Sequence, residues 1–333
     1  MTRILIVKIG AIGDVVMCLP LISEIRKREP NARITWLCGK QVLPMLERVE
    51  GIDELIAVDE NALLKSSLPV RIGEILRIWS KLLFRNFSLQ LYYYHSPLYK
   101  ILCMPAFFRE TRGFGKQKSG SMLPVPGRHH SLEYIRAYLN QEEPAEILPE
   151  YPLFRNLPGK SGLSDRKRIV LASGGARNLL RNDGLRRWPL SHYARLGQLI
   201  TGQGWELIIT GSEGDAWVKD AFTGIPFTDM IGKHTLCGFI EFLSGTDLLI
   251  THDSGPLHLA DLAQCPVIGL FGPTMPEEKK SLQEKSIYLW GGSGLSCRPC
   301  YDGRNYGNCS SNECLISVSP ELVWEKVTEL IKC

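Results

Sequence analysis

The sequence predicts an α/β protein made of two doubly wound parallel sheets. Short continuous apolar runs of strand length alternate with longer amphipathic segments, and this alternation occurs twice along the chain. Between the two series, residues 141–167 contain four prolines and little periodicity, which is typical of a domain boundary. We therefore predict an N-terminal domain over residues 1–150, a C-terminal domain over 165–318 and a terminal helical segment over 319–333.

Composition and charge indicate a cytoplasmic protein that does not bind nucleic acid. The 333 residues are 44% hydrophobic and 22% charged, and the net charge of +4 is too small to indicate a nucleic-acid partner. No segment approaches the ~18 apolar residues that span a bilayer. Lys8 and Asp14 interrupt the apolar N-terminus, so no signal peptide is expected. Six of the ten cysteines are scattered, mostly in apolar segments, as expected for thiols in a reducing cytoplasm.

The first series begins with residues 3–8, a continuous apolar run that predicts a strand buried on both faces. After a short glycine-containing loop, a helix is expected from Asp14 to Arg28, where Pro30 ends it. The same reasoning predicts three further strands, at 33–38, 54–58 and 88–94.

Residues 71–85 form an amphipathic helix in which arginines and lysines alternate with large apolar residues. We expect this helix to pack on its own sheet, and an anionic membrane surface is the alternative. The chain then becomes basic between Lys100 and His130, where Arg109 and Arg112 lie. Such a region suits an anionic acceptor, but it is equally compatible with a solvated loop.

The second series repeats the strand–helix alternation. Strands are expected at 168–173, 205–211, 247–251 and 266–271. Helices are expected at 190–202, 213–222, 235–244, 256–263 and 320–332.

The stretch from Asp247 to Ala263 carries the first functional signal. It predicts a strand, a tight turn at His252–Gly255 and a helix whose first position is Pro256. The unpaired N–H groups at the start of this helix, together with its dipole, favour an anion, and His258 falls in the first turn. The stretch therefore suits a phosphate. The alternative is that Asp253 or Ser254 only caps the helix.

Two other loops directly follow predicted strands. They therefore lie beyond the carboxyl ends of strands, where α/β proteins bind ligands. Gly10–Asp14 lacks the GxGxxG pattern, and no GxxxxGK[ST] occurs, so neither a dinucleotide site nor a P-loop is indicated. Asp14 is either a general base or a helix cap. Gly174 and Gly175 precede several arginines, among them Arg186, whose paired N–H groups suit phosphate oxygens.

Acidic residues follow the strand at 205–211. Glu213 and Asp215 lie in a predicted first helical turn, where acids usually offset the helix dipole. The other interpretation is that they bind sugar hydroxyls.

Four segments in this order resemble glycosyltransferase family 9, the ADP-heptose:lipopolysaccharide heptosyltransferases. They are ILIVKIGAIGDVVMCLPLI at the N-terminus, RRWP at 186–189, GKHTL at 232–236, and DSGPLH at 253–258 followed by FGPT at 271–274. The resemblance covers nearly the whole chain. Three departures occur: Arg186 and Asp215 stand where the family has a lysine and a glutamate, and the strand at 88–94 lacks a common acidic residue.

The resemblance implies a GT-B fold, in which two Rossmann-like domains face each other across a cleft and a C-terminal helix crosses back to the N-terminal domain. It implies Asp14 as the general base. Donor-binding residues would lie in the C-terminal domain, at Gly174, Arg186, Asp215, Thr235, Asp253, Ser254, Gly255 and His258. Acceptor-binding residues would lie in the N-terminal domain, at Gly13, Arg109 and Arg112.

The function implied is inverting transfer of a sugar, heptose from ADP-heptose, to the anionic glycolipid acceptor of the lipopolysaccharide core. Peripheral contact with the cytoplasmic face of the inner membrane is compatible with this function. No cofactor is expected, since arginine and helix ends can carry the charge of the leaving diphosphate. A non-catalytic nucleotide-sugar-binding protein is the alternative, whereas an NAD-linked oxidoreductase lacks its sequence pattern.

Four cysteines, Cys297, Cys300, Cys309 and Cys314, have the spacing C-x2-C-x8-C-x4-C. A structural zinc site is one interpretation of four thiols so close together. The sequence favours the other, reduced thiols in a surface loop, because the middle spacing is short for a zinc site.

Overall fold

The computed structural model describes residues 1–94, 98–115, 121–141, 147–158, 166–177, 183–302 and 305–332. The chain forms two compact units, Met1–Asn156 and Leu157–Cys333. The division between them falls within the proline-containing segment at 141–167.

The first unit is built on a six-stranded parallel sheet with the order β3-β2-β1-β4-β5-β6. Its strands are β1 (Arg3–Val7), β2 (Arg33–Gly39), β3 (Glu54–Val58), β4 (Asn86–Tyr92), β5 (Phe107–Phe114) and β6 (Ser121–Met122). Its helices are α1 (Ile12–Cys18), α2 (Pro20–Arg28), α3 (Leu43–Leu46), α4 (Glu60–Leu64), α5 (Leu68–Leu82), α6 (Leu98–Cys103) and α7 (His130–Leu139). The central strand β1 is covered on both faces, since Ile4 to Val7 have no exposed surface, and this explains its continuous apolar sequence.

The predicted helix from Asp14 to Arg28 is two helices. α1 ends at Cys18 and α2 begins at Pro20, which has no N–H to continue the hydrogen bonding of α1. Pro20 instead occupies a first-turn position, where the missing donor is not needed.

Helix α5 packs on its own sheet through residues spaced by four, Glu74, Ile78 and Leu82. It therefore confirms the expected packing of the amphipathic segment. Its opposite side still exposes large apolar residues, including Ile72 and Leu76.

The second unit repeats the arrangement, with the parallel order β12-β11-β10-β7-β8-β9. Its strands are β7 (Arg168–Ala172), β8 (Glu206–Gly211), β9 (Thr228–Ile231), β10 (Leu248–His252), β11 (Val267–Phe271) and β12 (Ile287–Trp290). Its helices are α8 (Leu190–Gly202), α9 (Leu236–Ser244), α10 (Gly255–Ala263), α11 (Pro276–Lys279), α12 (Glu313–Ile316) and α13 (Pro320–Lys332), with 3-10 helices at Gly184–Arg186 and Glu213–Phe222.

The C-terminal helix α13 contributes to the core of the second unit. Val323 and Val327 are fully buried in that core, and Trp324 packs on Trp205 with ring centroids 5.4 Å apart. Val318 lies just before the helix, and its carbonyl accepts a hydrogen bond from Nε1 of Trp188 at 2.8 Å. This bond fixes the chain on this unit. The buried face of α13 packs on α8 and β11.

None of the helices in the described parts of the chain is long and apolar enough to cross a membrane.

Candidate active site

Asp14 lies in the first turn of α1, directly after the carboxyl end of β1. Its Oδ2 atom is 3.0 Å from Nζ of Lys8, whose side chain is buried while that of Asp14 is 42% exposed. Burial alone would lower the pKa of Lys8, but the charge of Asp14 raises that pKa well above its usual range. Lys8 therefore stays an ammonium, which orients Asp14 and favours its ionised form. Gly13 precedes Asp14 in the same turn.

A tyrosine that we did not predict fixes the loop between β1 and α1. The backbone N–H groups of Ile9 and Gly10 donate to Oη of Tyr94 at 2.7 and 2.9 Å, and this hydroxyl donates to the carbonyl of Gly10. The ring of Tyr94 also lies 4.9 Å from Nζ of Lys8. Tyr94 ends the apolar run at 88–94, so its only sequence signal was its place at the end of a strand.

Glu60 brings a second carboxylate to this loop. It begins α4 at the carboxyl end of β3, and its Oε1 lies so close to Gly10 that a Cβ atom there would meet it at 2.9 Å. Burial, with a smaller effect of Asp59, raises the pKa of Glu60. The glycine at position 10 thus allows an acid from α4, which follows β3, to lie beside the loop that carries Asp14.

Arg109 and Arg112 both lie on strand β5. Arg112 of β5 lies opposite Ile6 of β1, with β4 between the two strands. Arg109 lies three residues earlier on β5. The guanidinium of Arg112 donates to the carbonyl of Tyr138 at the end of α7. The acceptor-binding role expected of Arg109 and Arg112 stays a prediction.

In the second unit, Asp253 follows β10 and is surrounded by cations. Its Oδ2 atom lies 3.4 Å from Nη1 of Arg186 and 3.7 Å from Nζ of Lys279. Burial would raise the pKa of Asp253, but Lys279, Arg186 and His258 lower it well below its usual range. The charge of Asp253 in turn raises the pKa of Arg186 against the effect of burial. Asp253 and Arg186 are therefore both charged at neutral pH.

The start of α10 is open to an anion. Ser254 precedes the helix, but no side chain forms a capping hydrogen bond there among the residues described. Oγ of Ser254 instead donates to the carbonyl of His252 at 3.2 Å, and the carboxylate of Asp253 contacts the cations. The interpretation that one of these two residues only caps the helix is therefore wrong. A Cβ atom at Gly255 would meet nothing within 4 Å, so the space in front of this residue is open.

Histidines flank this turn. His258 is buried in the first turn of α10, close enough for its charge to act on Asp253. His252 is buried at the end of β10, with Nδ1 3.1 Å from Oη of Tyr193. Burial and the neighbouring Arg186 lower the pKa of His252 to about 3, so it is neutral at physiological pH.

The comparisons with known proteins agree with this geometry. Residues 152–308 match the family model described as glycosyltransferase family 9 (heptosyltransferase). Lipooligosaccharide heptosyltransferase 2 of Haemophilus influenzae is 29% identical over 155 residues, which cover 44% of this chain and 43% of that protein. Lipopolysaccharide heptosyltransferase 1 of Pseudomonas aeruginosa is 23% identical over 310 residues, which cover 90% of this chain and 86% of that protein.

A solved structure of an Escherichia coli heptosyltransferase with ADP has a TM-score of 0.74 and 17% identity, and it covers 99% of this chain and 100% of that one. Residues 152–308, nearly half of the chain, are thus similar to glycosyltransferase family 9. The two parallel sheets are those of a GT-B fold.

Asp215, expected from the family 9 resemblance to bind the donor, is engaged by the backbone. Its Oδ1 accepts from N of Gly175 at 2.9 Å, and its Oδ2 accepts from N and Oγ of Ser212 at 2.8 and 2.6 Å. A Cβ atom at Gly174 would clash with this side chain. Asp215 thus joins two loops at the carboxyl edge of the sheet. Thr235 likewise caps α9, accepting from N of Gly238 at 3.1 Å.

Lys279 is a further residue of this site, which we did not predict. It ends the short helix α11, is buried, and lies 4.8 Å from the ring of Tyr301. The FGPT run at 271–274 leads to this helix and was the only signal near it.

The four clustered cysteines are free thiols, from exposed Cys297 to buried Cys314. In the part of the chain that the structure describes, no group of three or more His, Cys, Asp or Glu side chains is arranged to bind a metal ion.

Proposed function

We propose that this protein is a family 9 glycosyltransferase and transfers heptose from ADP-heptose to an acceptor of the lipopolysaccharide core, with inversion at the anomeric carbon. The names of the relatives support the sugar and the acceptor, and the structural neighbour with ADP supports the nucleotide. The observation that carries the proposal is the pair of sites found at strand ends. Asp14 beside Lys8 offers a base, and the cations around Asp253 offer a diphosphate site.

In the proposed reaction, Asp14 accepts the proton of the attacking acceptor hydroxyl. General bases of this kind must be ionised and within hydrogen-bond reach of the hydroxyl. The half-exposed carboxylate of Asp14 meets the first condition through the ammonium of Lys8. Glu60 lies beside the same loop, where a carboxylate is suited to bind other hydroxyls of the acceptor sugar.

The bond from the anomeric carbon to the diphosphate breaks as the acceptor oxygen attacks from the opposite side. Negative charge then accumulates on the leaving ADP. Arg186, Lys279 and the N–H groups at Ser254 and Gly255 are suited to stabilise that charge. His258 lies in the first turn of the same helix and is suited to contact a phosphate oxygen.

We also propose that the protein works at the cytoplasmic face of the inner membrane, where a glycolipid acceptor is anchored. The outward side of α5 exposes Leu68, Ile72 and Leu76 by 65, 46 and 54%, and exposed Lys81 lies at the end of the helix. An apolar stripe with flanking cations suits the surface of an anionic bilayer.

The test is a donor screen combined with a base variant. The wild type is incubated with ADP-heptose and a panel of core acceptors, and release of ADP and formation of the glycosylated acceptor are measured. We expect Asp14→Asn to reduce transfer by at least about a hundredfold. Titration calorimetry should give the same ADP affinity for this variant as for the wild type.

The exposed Asp220→Asn serves as the control for removal of a carboxylate and should transfer normally. Transfer by Asp14→Asn at the rate of the wild type would exclude Asp14 as the base. ADP binding without transfer to any acceptor by the wild type would support a non-catalytic binding protein instead.

A further inference from the structure

The segment that carries the four cysteines, Cys297–Cys314, packs against the proposed donor site. The backbone N–H groups of Cys300 and Tyr301 donate to the carbonyl of Pro273 at 3.0 and 3.1 Å. Nδ2 of Asn312 donates to the carbonyl of Arg187 at 3.1 Å. This segment thus contacts both the FGPT turn and the chain that carries Arg186.

Tyr306, in this segment, lies near Arg186 of the proposed donor site. Its hydroxyl is close enough to Arg186, Asp183 and Asp253 for their charges to act on it. Burial raises the pKa of Tyr306 above its usual range, so the hydroxyl keeps its proton and is a donor at neutral pH. Tyr306 and Tyr301 are joined by a β-bridge, with their ring centroids 4.8 Å apart, which limits how Tyr306 can turn.

Two buried donors at this place lack acceptors. Among the residues that the structure describes, neither Oη of Tyr306 nor Nε of Arg186 has a hydrogen-bond partner. The other nitrogens of Arg186 are engaged, with Nη2 2.8 Å from Asp183 and Nη1 3.4 Å from Asp253. A buried donor without an acceptor costs free energy. Two such donors close together therefore indicate a ligand that accepts hydrogen bonds.

We propose that the hydroxyl of Tyr306 and Nε of Arg186 bind oxygen atoms of the donor's diphosphate, which makes the cysteine segment one wall of the donor site. The inference rests on the proposed function for the identity of the donor. A diphosphate fits because its oxygens only accept hydrogen bonds and its charge suits the guanidinium and the nearby Lys279.

The experiment measures binding and stability of the full chain in three forms: wild type, Tyr306→Phe and Tyr288→Phe. Tyr288 is the matched control, since its hydroxyl contacts Glu277 at 3.2 Å on the exposed side of β12. Titration calorimetry is carried out with ADP, GDP, UDP and CDP, and with the nucleoside of whichever diphosphate binds. Thermal unfolding is followed without nucleotide.

We expect Tyr306→Phe to weaken binding of the diphosphate by about tenfold to a hundredfold, the effect of one hydrogen bond to a charged group. Binding of the nucleoside should not change, because it has no diphosphate. The variant should unfold at the same temperature as the wild type or higher, since the removed hydroxyl had no partner. Tyr288→Phe should bind as the wild type does.

Equal diphosphate affinity of Tyr306→Phe and the wild type would overturn the inference. A lower unfolding temperature with unchanged affinity would also overturn it, since it would give the hydroxyl a structural role. If the wild type prefers another diphosphate to ADP, the proposed donor fails while the loss in Tyr306→Phe still supports this inference. Binding of none of the four by the wild type would overturn both.

Discussion

Nζ of Lys8 lies 3.0 Å from Oδ2 of Asp14, and this ion pair joins the residue that follows a buried strand to the first turn of a helix. The two partners differ in environment, since the Lys8 side chain is 5% exposed and that of Asp14 is 42% exposed. A buried cation thus lies beside a half-exposed carboxylate, which suits the proposed role of Asp14 as the general base.

Replacing Lys8 by Met should reduce turnover by about tenfold or more, because the carboxylate of Asp14 loses its counter-ion and orientation. The acidic limb of the pH–rate profile should also move to higher pH, since the ionised carboxylate becomes less favoured. Steady-state kinetics between pH 5 and 9 would measure both effects. A wild-type profile in Lys8→Met would show that the ion pair does not act in catalysis.

The same pair should make stability depend on pH in the alkaline range. The pKa of Lys8 is raised in the folded protein, whereas a lysine in an unfolded chain titrates near ~10.4. Its contribution is therefore fully present below about pH 10 and is lost as the pH rises through the higher folded value. The unfolding free energy, measured with urea at pH 8 and at pH 11, should fall less between these two pH values for Lys8→Met than for the wild type.

Lys279 should contribute to donor binding. Its ammonium lies 3.7 Å from Oδ2 of Asp253 in a buried setting. Removal of the ammonium reduces the positive charge around that carboxylate, and so lowers the attraction of the site for a diphosphate. We expect Lys279→Met to weaken ADP binding by about tenfold or more in titration calorimetry. The exposed Lys285→Met is the control and should bind normally. Unchanged affinity in Lys279→Met would remove this residue from the donor site.

Asp215 should matter for stability more than for direct contact with the nucleotide. Its carboxylate accepts from the backbone of Gly175 and Ser212, so Asp215→Ala leaves two partly buried donors without this partner. We expect a loss of about 1–3 kcal/mol in unfolding free energy, measured by urea titration. Glu213→Gln, at an exposed position two residues earlier, should have no such effect. Unchanged stability with lost ADP binding would instead support the donor-binding role implied by the resemblance.

Parts of this fold were predictable because their signals are local. β1 is buried on both faces and so has a continuous apolar sequence, and the turn before Pro256 carries its own helix-start residues. β5 was missed because five of its eight residues are charged, polar or glycine, as the sequence RETRG shows, and most are exposed.

The missed residues of the sites depend on contacts between distant segments. Lys279 meets Asp253 only because α11 follows β11, the neighbour of β10, and the spacing of 26 residues carries no signal. The role of Asp215 was hidden for the same reason, since Gly175 belongs to a loop 40 residues away in the sequence. The place of Arg109 and Arg112 within a strand was hidden because β5 itself was not predicted.

The exposed side of α5 gives the last prediction. A helix that buries Glu74 and Ile78 while exposing Ile72 and Leu76 has no folding advantage from its outward apolar residues. If they contact a bilayer, Ile72→Glu with Leu76→Glu should reduce binding to vesicles that contain anionic lipid, measured by co-sedimentation. Each buried apolar side chain contributes on the order of 1–2 kcal/mol, so the double variant should lose about a hundredfold in partitioning.

The matched control is Leu148→Glu, because Leu148 is 84% exposed outside any helix or strand. It should leave vesicle binding unchanged. Because the active-site residues lie at strand ends and not on the outer face of α5, turnover with a short water-soluble acceptor should also be unchanged in the double variant. Equal vesicle binding by the double variant and the wild type would assign the apolar stripe to another partner and remove the membrane contact from the proposed function.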